Sequence, residues 1–158
     1  MHIVAILYLS HQIMRIMNND KKLTIWTFAL NFIIIVGIGH GIAFLGLLEV
    51  IWFFSLFSGG IFDKFSLSFT ASYEASLGPI ALFSLIGSIL LLRSILIKKR
   101  NLIRTKITGI VFLWVGFFYL THDFLRDSAA QLGFYMGLPF LICSVVLFFR
   151  TLKSRITN

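Results

Sequence analysis

The side chains able to do chemistry are few, and most of them interrupt long apolar runs. His40 lies between Gly39 and Gly41 in "GIGHG", Gly37 to Gly41, and Glu49 follows nine residues later. Tyr119, His122 and Asp123 form a second group. Two imidazoles at one depth can ligate a haem iron axially, and with Asp123 they can hold a metal ion or relay a proton. The two flanking glycines would let a neighbouring helix or a ligand approach the His40 ring. No HxxxH or HxxE spacing marks a dedicated metal site, and no Ser/His/Asp set, phosphate loop or cysteine pair is present. Cys143 is the single cysteine, which excludes an intramolecular disulfide and a multi-cysteine cluster.

The elements that must position these groups follow from composition. Of the 158 residues, 58% are hydrophobic and only 13% charged, whereas a soluble domain is about half apolar and about a quarter charged. A chain of this size cannot hide so much hydrocarbon in one aqueous core, so its solvent is a lipid bilayer. Four segments come near the ~20 apolar residues a spanning helix requires: about 23–45, 78–97, 107–124 and 130–149. The expected fold is therefore an all-α, four-transmembrane-helix bundle over residues 23–149. A short segment, 1–22, precedes it, and a basic tail, 150–158, follows. Residues 1–22 are either an interfacial helix carrying His2 and His11 or an extension upstream of a start at Met14 or Met17.

Charge orients the bundle. Arg15, Lys21 and Lys22, the run from Arg93 to Lys106, and Arg150, Lys153 and Arg155 place 12 of the 14 basic residues on one side, leaving Lys64 and Arg126 on the other. Positive residues stay cytoplasmic, so both termini are expected inside a multi-pass protein of the cytoplasmic (inner) membrane. The acids Glu49, Asp63, Glu74, Asp123 and Asp127 are then expected outside. The basic run from Lys98 to Lys106 suits anionic lipid headgroups rather than nucleic acid. Between the first two spans, the connection from Leu47 to Leu77 is long and aromatic. It is read as an outer loop that covers helix ends or caps an outward-facing pocket.

Straight helices put His40 and His122 in the outer third of the membrane, within about 3 Å of one level. Asp123 and Arg126 have the i,i+3 spacing of an ion pair. Glu49, nine residues beyond His40, falls on the opposite helix face and shares its face with Asn31, unless a bend at Gly46 redirects it. Small residues mark the contact stripes that allow helices to pack in lipid: Gly37 and Gly41 in the first span, Ser84 and Ser88 in the second, Gly116 in the third, Gly133 and Gly137 in the fourth. Pro139 should kink or loosen the last helix. Trp26 and Trp52 suit the two interfaces, and the deeper Trp114 needs a partner for its N–H.

In layout and in its "GIGHG" stretch, Gly37 to Gly41, the chain resembles a set of short, uncharacterised bacterial four-helix membrane proteins. That resemblance implies four helices and no particular activity, and the long aromatic outer connection departs from it. The leading functional expectation is a non-enzymatic accessory or interaction protein, with a membrane-protein partner or a second copy of itself and no cofactor. The alternative is a binder of a lipid- or quinone-like ligand near His40, Tyr119, His122, Asp123 and Glu49. A haem b, metal or proton-transfer protein is the third.

Overall fold

The structure is a computed structural model that describes residues 20–38, 41–58, 73–97 and 102–156. Residues 1–19, His40 and the middle of the expected outer connection, 59–72, lie outside these residues. Helix α1 (Asp20–Ile33) leads into a two-stranded antiparallel hairpin, β1 (Ile35–Ile38) and β2 (Gly41–Phe44), and then into α2 (Leu45–Ser58). Three longer helices follow: α3 (Tyr73–Leu96), α4 (Leu102–Thr121) and α5 (Ser128–Ile156). Within them, Ser76–Leu96, Ile103–Thr121 and Ser128–Lys153 are long and apolar enough to cross a membrane. They correspond to the second, third and fourth expected spans.

The first expected span is corrected. The helix that sequence places over 23–45 stops at Ile33, and five helices and a small sheet replace four helices among the described residues. The break has a local cause. Ile33, Ile34, Ile35 and Val36 are consecutive β-branched residues, stiff at χ1 and better suited to a strand. Glycines at 37, 39 and 41 then weaken any helix further. The register pairs Ile35 with Phe44 and Ile38 with Gly41. It is extended by the Leu45 N–H, which donates to the Ile34 carbonyl at 2.7 Å. Side chains alternate across the ribbon: Ile34, Val36 and Leu45 are buried against the bundle, while Ile42 and Phe44 are exposed. Gly37 and Gly41, expected on a helix contact stripe, therefore lie in β1 and β2.

Helix α1 has only 14 residues, about 21 Å, short of the ~30 Å hydrocarbon thickness. Its buried face carries Leu23, Thr24, Thr27 and Asn31. The Thr24 and Thr27 hydroxyls donate to the carbonyls of Asp20 and Leu23, which satisfies them within the helix. Asp20 in the first turn suits the positive helix end and lies 3.6 Å from Arg150 near the far end of α5. The start of α1 and the end of α5 thus share one end of the bundle.

Helices α3 and α4 approach to backbone contact. A Cβ placed on Gly87 would lie 2.9 Å from the Gly109 carbonyl oxygen, and one on Gly116 would lie 3.2 Å from the Ser84 nitrogen. Helix α5 packs on α4 through Gly133 against Leu120 and Gly137 against Phe117. It remains helical through Pro139, from Ser128 to Ile156. The Trp114 indole finds its partner here, donating to Ser144 Oγ at 2.8 Å. Trp52, expected at an interface, is instead buried.

Because the α3–α4 seam is backbone on backbone, Gly87→Ala should cost about 1–3 kcal/mol, the usual range for overpacking. Truncation of the exposed Ile89 to Ala should cost far less. Thermal unfolding in detergent, followed by thiol-dye reaction at Cys143, measures both. Equal midpoints for the two variants would contradict the seam.

Candidate functional site

The chain reversal at the hairpin brings two short helix ends together. Asn31 lies in the last turn of α1 and Glu49 in the second turn of α2. On one straight helix, residues eighteen apart would be separated by about 27 Å. Here Asn31 Nδ2 donates to Glu49 Oε1 at 2.9 Å. The contact falls where it does because the strand register continues one turn into each helix, with Ile34 bonded to Leu45 at its base.

Helix α3 closes the site from the other side. Ser84 and Ser88 are one turn apart and share a face. Ser84 Oγ donates to Glu49 Oε1 at 2.5 Å, and Ser88 Oγ reaches the same oxygen at 3.4 Å. Asn31 Nδ2 also donates to Ser84 Oγ at 2.8 Å and approaches Ser88 Oγ at 3.4 Å. The two 3.4 Å contacts are long for hydrogen bonds, so the firm core of the cluster is Glu49, Asn31 and Ser84. All four residues are buried, Glu49 with 1% and Asn31 with 2% of its surface exposed. Glu49 Oε2 is buried with no hydrogen-bond partner among the described residues.

The height of the cluster matters as much as its chemistry. Ser84 and Ser88 bracket the middle of the apolar segment Ser76–Leu96. A carboxyl group there is as far from both ends of that segment as the helix allows. Glu49, expected outside with Asp63, Glu74, Asp123 and Asp127, instead lies beside the middle of Ser76–Leu96. The cause is the hairpin, which ends the first helix early and turns α2 back alongside it.

The second group of candidates is only partly assembled. Helix α4 ends at Thr121, and His122 and Asp123 lie in the turn that follows. His122 Nδ1 lies 2.8 Å from the Tyr119 carbonyl and Nε2 lies 3.1 Å from Asp123 Oδ2. Both ring nitrogens are thus engaged, and ligation of a haem or metal through either requires breaking a contact. Tyr119 is buried with its ring stacked on Phe83 at 5.7 Å. The expected Asp123–Arg126 side-chain pair does not form. Asp123 Oδ2 is instead engaged by His122 Nε2, and Arg126 donates its backbone N–H to the Asp123 carbonyl. Asp127 caps α5 by accepting the Ala129 N–H at 2.7 Å. His122 lies six residues past Gly116, which packs beside Ser84, so this group stands about 9 Å further along α4 than the Glu49 cluster.

No family model, no curated protein and no solved structure matches the chain. Its site is read from its own geometry. Among the described residues no three His, Cys, Asp or Glu side chains converge as a metal-ligand group. Instead the structure joins one carboxyl group to one amide and two hydroxyls. Ser84 and Ser88 were expected as packing positions and serve this polar cluster. Asn31 was placed on the face of Glu49 but not among the candidate site residues. The signal available for it was an amide in the middle of the apolar stretch "FALNFIII".

Removing one partner from a buried polar cluster costs more than replacing the pair with apolar groups. Asn31→Leu alone should lower stability by about 1–3 kcal/mol, whereas the double change Asn31→Leu with Glu49→Leu should recover much of that loss. A double-mutant cycle from thermal unfolding measures this coupling, and simple additivity would show that the two side chains do not interact.

Proposed function

We propose that the protein is a multi-pass protein of the cytoplasmic membrane that binds a cation, the proton included, at Glu49 inside the bilayer. The observation that carries this reading is the buried Glu49 carboxyl group. One oxygen gathers Asn31, Ser84 and Ser88, while the other has no partner among the described residues. Ionisable groups at membrane depth are expensive and mark ion or proton pathways. Sites of this kind form where interrupted helices meet near the midplane, which is the relation between α1 and α2. The exposed apolar faces of the long helices are what lipid contact demands. They give no separate support to an accessory or interaction role.

In this reading α3, α4 and α5 make three crossings, the chain between Asp20 and Tyr73 makes the fourth, and both termini are cytoplasmic. The pairing of Asp20 with Arg150 supports a common side, and the excess of Lys and Arg at that end supports the cytoplasm. The same basic end would attract anionic headgroups.

Two measurements test the proposal. Infrared difference spectra of the reconstituted protein, taken between acid and alkaline pH and between salts, should contain a carboxyl response that disappears in Glu49→Gln. A Glu49 signal unchanged under every pH and salt overturns the cation reading. For topology, Leu125→Cys in a Cys143→Ser background should react with an impermeant maleimide added to intact cells, and Lys153→Cys only after permeabilisation. The reverse pattern inverts the proposed orientation.

A further inference from the structure

We infer that Asn31, Glu49, Ser84 and Ser88 form a site for a dehydrated sodium ion. The inference rests on the reading of Glu49 as a cation site and names the metal-ion class it takes.

The groups that surround the carboxylate are all of one kind. Asn31 and the two serines are all ambivalent. A serine hydroxyl that donates to Glu49 can rotate and present a lone pair. The Asn31 amide can turn so that Oδ1 replaces Nδ2 at the cluster. A lysine, arginine, indole or backbone N–H in the same place could only donate and would repel a metal ion. Among the described residues, every group that hydrogen-bonds Glu49 Oε1 is one that can become a ligand.

Charge and hardness narrow the ion. The available donors are carboxylate, hydroxyl and amide oxygens, a set that suits hard cations. Glu49 is the one ionisable member of the cluster, so a bound monovalent cation leaves the site neutral. A divalent ion would leave a net positive charge at the middle of an apolar segment, where unbalanced charge is costly. The buried Oε2, without a partner among the described residues, supplies the ligand that no existing hydrogen bond holds. Ser84 and Ser88 come from α3, while Asn31 and Glu49 come from the two sides of the hairpin. An ion seated among them would tie the interrupted segment to the long helix.

The test uses the full chain in detergent at constant ionic strength, with NaCl replaced stepwise by choline chloride and with MgCl2 as a further comparison. A ligand that binds only the folded state raises the unfolding midpoint in a saturable way. The expected result is such a rise with Na+ and none with Mg2+. Ser84→Ala and Ser88→Ala should each weaken the apparent Na+ affinity about 10-fold or more, and Glu49→Gln should abolish the Na+ increment. Equilibrium binding of radioactive Na+ to the unaltered chain gives the same answer without relying on any variant. Equal midpoints in Na+ and choline together with no bound Na+ overturn the inference, while a carboxyl response to pH would still stand. A Na+ increment that survives in Glu49→Gln also overturns it, because the ion then binds elsewhere.

Discussion

A carboxyl group surrounded by hydrocarbon needs polar neighbours, and much of this fold can be understood as the means of supplying them. Glu49 cannot meet Asn31 along a continuous helix. The chain must stop, reverse and start again, and it does so between Ile33 and Leu45. Ser84 and Ser88 must then be offered from a third segment at the same height. The short α1, the hairpin, the turn into α2 and the placement of α3 all converge on one side chain. The polar contacts are few, but each is made where water is not available to replace it, which raises the cost of losing it.

The reversal creates a problem of its own. Irregular backbone within a membrane is tolerated only where its N–H and C=O groups are satisfied by protein or line a cavity. The hairpin ladder answers part of this demand, since the strands bond to each other and the Leu45 N–H closes the base on the Ile34 carbonyl. Burial of Ile34, Val36 and Leu45 against the bundle answers another part. Interrupted segments of this sort have two short helices that can shift relative to one another. In the proposed reading, the α1–α2 unit is the part of the molecule most directly coupled to the cation at Glu49.

The rest of the bundle is built differently. Helices α3 and α4 touch through Gly87, Gly109 and Gly116, and α5 joins through Gly133 and Gly137, with phenylalanine and leucine filling the spaces between. In lipid, close backbone approach and van der Waals contact take the place of hydrophobic collapse. This seam gives a stiff platform on which Ser84 and Ser88 hold their height. The His122–Asp123 contact sits beyond the end of α4, where a turn and the Asp127 cap join α4 to α5.

The amino-acid sequence by itself determined the solvent of this protein and three of its long apolar helices. Both depend on residue type summed over ~20 positions, and sums of that kind survive local errors. It also marked Gly116, Gly133 and Gly137 as small residues, and the deep Trp114 as a group in need of a partner. It did not disclose the hairpin. This ribbon is apolar both on its buried face and on the exposed face of Ile42 and Phe44, so the period-2 alternation that reveals strands in water is absent from "IIIVGIGHGIAFL". The β-branched run and the glycines were legible, yet in a stretch this oily they compete with the equally good reading of a spanning helix. Asn31 and Glu49 shared a face on the imagined straight helix, but only the fold-back turned about 27 Å of helix into a hydrogen bond. That step belongs to tertiary structure, because hydrogen-bond partners far apart in the chain are chosen by where the backbone reverses, not by residue type.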